Sequence, residues 1–281
     1  MYKFLINKIS EKSDDQTFWD HADVLRKYLI RSMLIVFILS VAAFFYKDFI
    51  FNTIILGPKY PDFISYRVLA SLGRLFHVAE LTFKEIPCNL INIELGGQFR
   101  WHIIISLVTG IILGFPFVLY QLWLFVKPAL NPKELKYARG ALFYISALFL
   151  LGVLFGYYII LPLTINFLAN YQLSSEIKNQ ITIASYISTA TWLPISSGIV
   201  FELPILIYYL ARIGLITAGF LRKNRKYSII LILLIAGIIT PTTDMFTQVV
   251  VALPLYALYE VSITIASRIQ KKQDIQDADL V

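Results

Sequence analysis

Long apolar runs separated by short polar stretches are the dominant pattern along this chain. A helix that crosses about 30 Å of hydrocarbon needs roughly 20 largely apolar residues. Six segments approach or reach that length, at about residues 28–46, 101–125, 138–161, 186–211, 227–240 and 247–266. The pattern therefore predicts an all-α fold, in which residues 1–281 form a single polytopic membrane domain with six transmembrane helices.

The fifth predicted span is unusually short. Its 14 residues would extend only about 21 Å at 1.5 Å per residue. The sequence PTTDMF is all that separates it from the sixth span. We therefore expect these two helices to form a short hairpin that thins the bilayer locally.

Prolines recur in the predicted spans, at Pro116, Pro162, Pro194, Pro204 and Pro254. Proline removes a backbone hydrogen bond and clashes with the preceding turn, so each is expected to kink or end its helix. The helices should therefore form a curved bundle rather than a set of straight rods.

The segment between the first two spans, at about residues 47–100, is long and has a pattern of its own. Within it, VLASLGRLFHVAELTF places apolar residues at helical spacing, including Val68, Leu72 and Leu75. Such spacing predicts an amphipathic helix that lies on the outer leaflet or caps the bundle.

Composition supports a membrane protein and excludes several soluble classes. Hydrophobic residues make up 58% of the chain and charged residues only 15%, whereas a soluble domain carries about 25% charged residues. A water-soluble enzyme and a disordered chain are thereby excluded. The net charge of +7 does not indicate a nucleic-acid partner, because excess Lys and Arg in a membrane protein mark its cytoplasmic loops. The lipid bilayer is the expected environment.

The Lys and Arg residues are distributed unevenly between the two sides of the predicted bundle. With six spans, both termini share a side with the loops at 127–139 and 212–226, and this side holds 18 of the 25 basic residues. The loop RIGLITAGFLRKNRK alone has five bases and no acid. Because positive loops stay in the cytoplasm, we predict that both termini are cytoplasmic.

No pattern in the sequence indicates catalysis or a bound cofactor. The single cysteine, Cys88, allows no intramolecular disulfide and no cysteine-based metal cluster. His21, His77 and His102 lie in different regions, and the common metalloprotease, phosphate-loop and serine-hydrolase motifs are missing from the sequence. We therefore expect a protein that is not an enzyme and that has no cofactor and no metal site.

Acidic residues within the predicted spans are a stronger signal, because a charge in the bilayer is costly and tends to mark a functional path. Glu202 lies in IVFELPIL, two residues before Pro204. It is either functional or a structural carboxylate satisfied by a neighbouring helix or by carbonyls freed at the proline. Glu260 lies near the end of the sixth span, where reaching the lipid headgroups is the favoured role.

Two further acids lie in predicted loops. Glu134 is the only acid in the basic stretch QLWLFVKPALNPKELKYAR. Together with Asn131 and Pro132 it fits the start of a helix as a capping residue, and its carboxylate also offers a bidentate site to a cytoplasmic guanidinium. Asp244, in the turn of the short hairpin, is expected to form that turn or to cap a helix.

Several sequence blocks follow one another in a distinctive order. The most specific is FPFVLYQLWLFVKPALNPKE, followed by FGYYIILPLTINFL, ASYIS, FELP, TPTTDMFTQ and ALPLYALYE. From about Trp19 to Arg268, apart from the long outer segment, the chain resembles the TatC family, the large subunit of the twin-arginine protein translocase. The resemblance implies a cup-like bundle of six helices in the bacterial cytoplasmic (inner) membrane or an equivalent organellar membrane.

The resemblance also implies a function and a set of partners. Proteins of this family bind signal peptides that carry two adjacent arginines, recruit small single-span partner subunits, self-associate, and export folded cargo with the proton-motive force. The signal peptide would then be bound by Glu134, Arg26, Phe125, Leu130 and Gln121. Membrane-embedded or partner-docking positions would be Glu202, Tyr157, Pro116, Asp244 and Gln248.

The N-terminal motif departs from the family pattern. The usual His-Leu-x-Glu-Leu-Arg is HADVLR here, so that Val24 stands where the glutamate is expected. Two guanidinium groups require more than one acceptor. We therefore hypothesise that Asp23 or Asp20 supplies the second negative charge of the signal-peptide site.

Two other functions stand as alternatives. A proton-coupled secondary transporter of a small solute would use Glu202 and Glu260 as a relay, but such a protein should show an internal repeat and paired broken helices. An insertase with a hydrophilic groove should carry an Arg or Lys at the centre of a span. The substitution Glu134→Ala separates the leading function from a transporter, because only the former requires this carboxylate.

Overall fold

The computed structural model describes residues 2–68, 90–129, 132–174, 176, 179–240 and 245–278. Within these ranges, nine α-helices have defined bounds and are numbered here in chain order: α1 (Tyr2–Phe45), α2 (Gly97–Val126), α3 (Pro132–Phe155), α4 (Leu161–Asn170), α5 (Ile183–Val200), α6 (Leu203–Arg212), α7 (Ala218–Lys223), α8 (Arg225–Ile239) and α9 (Met245–Ala278). Residues 64–68 are also helical. The β-structure in the described ranges consists of an isolated bridge between Ile91 and Thr182. The predicted all-α fold is confirmed.

Five helical segments of the described ranges are long and apolar enough to cross a membrane. These are Ala22–Phe45, Gly97–Val126, Leu142–Asn170, Ile183–Arg212 and Thr247–Lys271. They coincide with the first four predicted spans and the sixth, as expected for an integral membrane protein. The predicted fifth span is α8, whose 15 residues extend about 22 Å at 1.5 Å per residue. The count of six spans and the cytoplasmic location of the termini stay predictions, and so does the single membrane domain.

The prolines of the spans divide into two groups. Pro116, Pro194 and Pro254 lie inside α2, α5 and α9. Pro162 and Pro204 lie in the first turns of α4 and α6, where the missing N–H has no partner to lose. For this reason the third span does not end near residue 161 but continues through a π-helical turn at Gly156–Ile160 and α4 to Asn170.

The amphipathic helix that the sequence predicts near residues 68–83 falls almost wholly within 69–89, which lie outside the described residues. The preceding part of this outer segment contains a π-helical turn at Phe49–Ile55 and a 3₁₀ turn at Gly57–Lys59. Its last part pairs with the start of α5, because Ile91 donates its N–H to Ile181 and accepts from Ile183.

The chain divides into two compact units, described separately. Unit 1 contains residues Met1–Phe45 and Ser106–Ser146, and unit 2 contains Tyr46–Ile105 and Ala147–Val281. In unit 1, α1 and α2 approach so closely that a Cβ on Gly110 would overlap the Ser40 hydroxyl, and one on Gly114 would lie 3.0 Å from Cγ2 of Val36.

Unit 2 is held together by close helix packing at two places. The last turns of α3 and the following π-helical turn pack directly on α5, since a Cβ on Gly156 would lie 2.7 Å from the Pro194 Cα. At the other place, α9 packs against α6, α7 and α8. The buried residues there are Ala211, Ala218, Leu221, Ile263 and Ala266. Small residues allow this close backbone approach, as in other membrane bundles.

Candidate functional site

The middle of α1 contacts the last turn of α2 in unit 1 through aromatic side chains. The rings of Tyr28 and Phe125 lie 6.4 Å apart in an edge-to-face arrangement, and the Arg31 guanidinium lies 5.7 Å from the centre of the Tyr28 ring. Arg26 and Asp23 precede Tyr28 on α1, one helical turn apart, and both are exposed. The structure thus brings the part of α1 that carries Arg26 and Asp23 to the last turn of α2, which carries Phe125.

Two polar atoms on the last turns of α2 are buried without a partner. These are Oε1 of Gln121 and Nε1 of Trp123, neither of which has a hydrogen bond within the described part of the chain. The Trp123 ring stacks on Tyr120 at 6.1 Å, and the Lys127 ammonium lies 5.4 Å from its centre. Buried polar atoms are normally satisfied, so this acceptor and donor would gain a partner if a ligand displaced the side chains that cover them.

Glu134 is the third residue of α3, which begins at Pro132 as the sequence predicts. A 3₁₀ turn, Lys127–Ala129, leads from α2 towards it. The Glu134 side chain and Leu130 lie outside what the structure describes. Its role in the site therefore stays a prediction from sequence.

Glu202 lies where the fourth span is interrupted. Helix α5 ends at Val200 and α6 begins at Leu203, and Pro204 follows in the first turn of α6. The Glu202 backbone is fully used, because its N–H donates to Ile199 and its carbonyl accepts from Ile205 and Leu206. Its side-chain Oε1, however, is buried without a hydrogen bond within the described residues.

Tyr157 has a clear structural role in unit 2. Its hydroxyl donates to the Ile54 carbonyl at 2.7 Å, and its ring lies 5.6 Å from Phe63. The hydrogen bond attaches the third span to the π-helical turn of the outer segment. The membrane-embedded or partner-docking role that the family resemblance implies for Tyr157 stays a prediction.

Two tyrosines that the sequence analysis did not select make similar bonds. Tyr186 donates to the Ile55 carbonyl at 2.9 Å, and Tyr66 donates to Pro58 at 2.8 Å and to Pro162 at 3.2 Å. The signal in the sequence is that a buried tyrosine needs a partner for its hydroxyl, but which carbonyl accepts depends on tertiary contacts.

The remaining predicted positions lie in several parts of the chain. Pro116 is half-buried in α2. Asp244 lies outside the described residues. Gln248 joins the two helices of the short hairpin, since its Nε2 on α9 donates to the Leu233 carbonyl of α8 at 3.0 Å. Arg26, Asp23, Phe125, Gln121 and Pro116 thus belong to unit 1, and Tyr157, Glu202 and Gln248 to unit 2.

Glu260 forms an ion pair rather than facing solvent freely. Its Oε2 lies 2.8 Å from the Arg225 guanidinium at the start of α8, and its Oε1 accepts from the Tyr256 hydroxyl at 3.0 Å. The sequence analysis placed this carboxylate among the headgroups and did not foresee the pair with Arg225. In the described residues, no group of three or more His, Cys, Asp or Glu could hold a metal ion.

Comparison with known proteins identifies the family. The profile described as "Sec-independent protein translocase protein (TatC)" matches residues 20–254. A relative from Blattabacterium sp. subsp. Periplaneta americana (strain BPLAN) with that name is 39% identical over 94% of this chain and 100% of its own length. Another from Carboxydothermus hydrogenoformans is 35% identical, covering 92% of this chain and 95% of the relative.

Solved structures agree with the sequence matches. A crystal structure of the "Twin Arginine Translocase Receptor- TatC in DDM" is 33% identical, with a TM-score of 0.66, covering 88% of this chain and 99% of that chain. A second crystal structure of the same receptor gives a TM-score of 0.61 at 33% identity, with 89% of this chain and 99% of that chain covered. This chain belongs to the TatC family of Sec-independent protein translocase proteins.

Proposed function

We propose that the protein is the signal-peptide receptor and scaffold subunit of a twin-arginine translocase, which exports folded proteins using the proton-motive force. Its six spans lie in the bacterial cytoplasmic (inner) membrane or an equivalent organellar membrane, with both termini in the cytoplasm. Membership of the TatC family supports the function, and the concentration of Lys and Arg in the short loops supports the orientation. The protein acts by binding its cargo, not by catalysis.

The signal peptide binds beside residues 23–28 of α1, where α2 ends and α3 begins. The observation that carries this proposal is the contact of Tyr28 with Phe125, beside the unpaired Oε1 of Gln121 one turn earlier on α2. An amide oxygen can accept from a guanidinium, and an aromatic ring can stack on its plane. The arrangement is therefore suited to an arginine side chain.

The negative charge of this site comes from Glu134, with Asp23 as the second acid. Asp23 is exposed one turn before Arg26 on α1, so that the two side chains are neighbours on the helix surface. In this arrangement Glu134 binds one guanidinium of the signal peptide in a bidentate manner. Arg26 holds the acids in place, and Leu130 adds apolar contact beside Phe125.

The substitution Glu134→Gln tests this role and separates it from helix capping. Glutamine preserves a capping box but removes the charge. We expect the full-length protein to bind a twin-arginine peptide about 10- to 100-fold more weakly, since a hydrogen bond to a charged group contributes about 1.5–3 kcal/mol. Binding is measured by titration with a fluorescent signal peptide.

The matched control is Glu176→Gln, an exposed acid of the outer side, which should leave the affinity unchanged. If Glu134→Gln bound as the unsubstituted protein does and Glu134→Ala did not, Glu134 would be a capping residue and the proposed recognition would be wrong. A solute transporter would tolerate both substitutions.

Partner subunits dock within the membrane, and the lipid bilayer surrounds them. The unpaired Oε1 of Glu202 at the break of the fourth span supports a polar contact with a partner helix. Gln248 and Asp244 contribute from the short hairpin, where Gln248 already links α9 to α8. Self-association uses exposed apolar faces of the spans. Co-purification of a single-span partner should fall with Glu202→Leu, and an unchanged yield would contradict this docking role.

A further inference from the structure

The hairpin of α8 and α9 carries an apolar groove of about 240 Å³. Its walls include Ile229, Ile232 and Leu233 from α8 and Val249, Leu253 and Tyr256 from α9. Val249 and Leu253 are 54% and 67% exposed, so the groove is open on one side. Its volume lies below the roughly 300–1,000 Å³ of a pocket for a drug-sized ligand. A narrow, flexible hydrocarbon chain suits these dimensions.

One end of the groove is polar. Tyr256, which forms part of the wall, donates its hydroxyl to Glu260 at 3.0 Å. Glu260 in turn pairs with Arg225 at 2.8 Å, and the Arg225 side chain is 47% exposed. A guanidinium has five N–H donors, so Arg225 keeps donors for a further anion while it holds Glu260.

Lys226 lies on the same face of α8 as the groove. It precedes Ile229 by three residues and Leu233 by seven, the spacing that places side chains along one side of a helix. Its ammonium lies 5.1 Å from the centre of the Tyr227 ring. Lys226 therefore adds a positive charge beside Arg225 at the mouth of the groove.

The surrounding charges are strongly unbalanced. Arg222 and Lys223 end α7, two residues before Arg225 opens α8, and Arg222 also donates to the Ser267 hydroxyl at 3.4 Å. Glu260 is the described acid in contact with this basic cluster, and Arg225 already pairs with it. An anion at this end of the hairpin would therefore meet a net positive charge.

We propose that this groove binds an anionic phospholipid, with one acyl chain between α8 and α9 and the phosphate held by Arg225 and Lys226. Basic pockets between membrane helices recognise anionic headgroups in this way. The short α8 supports the same conclusion, because a helix of about 22 Å draws the headgroup region towards its end when the bilayer thins. A single acyl chain, rather than a whole partner helix, matches a groove of about 240 Å³.

The test uses the full-length protein in dodecyl maltoside, titrated with phosphatidylglycerol or with phosphatidylcholine carrying the same acyl chains. Native mass spectrometry counts the lipids that stay bound. We expect phosphatidylglycerol to bind at least tenfold more tightly. The double substitution Arg225→Gln, Lys226→Gln should remove this preference, because each base contributes about fivefold to attraction for an anionic lipid.

Two further variants separate the headgroup from the acyl chain. Lys226→Gln alone leaves the Arg225–Glu260 pair intact and should weaken the binding of phosphatidylglycerol by about fivefold. Leu253→Trp fills the groove and should weaken the binding of both lipids. The controls are Lys47→Gln, an exposed base outside the cluster, and Ile230→Trp on α8, which is 63% exposed and is not part of the groove. Neither should change binding.

Three results would overturn the proposal. In the first, the unsubstituted protein binds phosphatidylglycerol and phosphatidylcholine equally. In the second, the double variant keeps the preference for phosphatidylglycerol and melts at the same temperature as the unsubstituted protein. In the third, a photocrosslinker at position 253 would capture a single-span partner helix and no lipid in membranes containing both. Because these readouts involve no signal peptide, they stand apart from the proposed receptor function.

Discussion

The two units of the chain differ in how completely their helices bury their own side chains. In unit 1, the most apolar windows of Ala22–Phe45 and Gly97–Val126 are 17% and 22% buried, although the latter span begins in unit 2. The corresponding window of Leu142–Asn170 is 56% buried. All but the first five residues of this span belong to unit 2. Ala43 is the single buried apolar residue of unit 1 among those the structure describes, whereas unit 2 contains a large core.

This difference separates two kinds of polar group. In unit 2, the hydroxyls of Tyr157, Tyr186 and Tyr66 are bonded to backbone carbonyls of the chain itself. On the last turns of α2 in unit 1, the buried Oε1 of Gln121 and Nε1 of Trp123 have no partner among the described residues. Unit 2 also contains such atoms, on Ser65, Trp101, Thr164 and Glu202. Because unit 2 has the larger core, we interpret it as the scaffold of the protein. Glu202 is the acidic side chain among its unpaired groups, which is why it is proposed to contact partner helices.

The largest effect is expected from overpacking the scaffold. In Gly156→Ala, the new methyl would lie 2.7 Å from the Pro194 Cα and 2.8 Å from the Leu193 carbonyl. Because backbone cannot move aside easily, we expect the free energy of unfolding to fall by about 1–3 kcal/mol. Thermal unfolding in detergent measures the loss. Gly140→Ala on α3 meets nothing within 4 Å among the described residues and should be neutral or slightly stabilising. Equal losses in both variants would contradict the overpacking of the α3–α5 contact as the cause.

A second prediction concerns the aromatic contact of unit 1. Phe125→Ala removes the partner of Tyr28 and a surface on which a guanidinium can stack. We expect a twin-arginine peptide to bind about three- to tenfold more weakly, since a guanidinium over an aromatic ring contributes about 0.5–2 kcal/mol. Phe143→Ala, at a phenylalanine that is 73% exposed, is the matched control. Should both variants bind alike, Phe125 has no special role in recognition.

A third prediction distinguishes structural from docking roles for Tyr157. Tyr157→Phe removes the bond to Ile54 and should lower the free energy of unfolding by about 0.5–1.5 kcal/mol without changing peptide affinity. The neighbouring Tyr158, which is 40% exposed, provides the control Tyr158→Phe, for which no loss is expected. Full stability of Tyr157→Phe together with loss of partner co-purification would show that Tyr157 is a docking residue instead.

The smallest effect is expected at the N-terminal acids. Asp23 is exposed, and an exposed ion pair contributes about 0.2–1 kcal/mol. Asp23→Asn should therefore weaken twin-arginine peptide crosslinking by about fivefold at most. The effect should be larger at low salt than at high salt, because screening is weaker there. Asp20→Asn is tested in parallel. If crosslinking were unchanged in both variants, neither acid would replace the charge missing at Val24.

The sequence predicted the helical membrane fold well, because spans of about 20 apolar residues are a strong physical signal. It also predicted that α3 begins at Pro132, since proline is favoured in a first helical turn. It could not predict that Pro162 continues the third span, because a proline is compatible both with ending a helix and with starting one. The outcome depends on the π-helical turn before it.

Parts of the candidate site were harder to predict for a different reason. Residues such as Phe125 and Gln121 stand in a recognisable block, whereas the contact of Tyr157 with Ile54 joins residues 103 positions apart. The pair of Arg225 with Glu260 likewise depends on how the short hairpin packs. Long-range partners of this kind follow from tertiary structure, which a local pattern does not contain.

Photocrosslinking from position 137, one turn after an intact Glu134 on α3, tests the central claim most directly, namely that unit 1 presents an acidic site for two adjacent arginines. The full-length protein carrying the crosslinker is exposed to a signal peptide with two arginines or to the same peptide with two lysines. The bidentate contact that only a guanidinium can make predicts at least tenfold stronger crosslinking of the arginine peptide. Equal crosslinking of the two peptides would contradict the account.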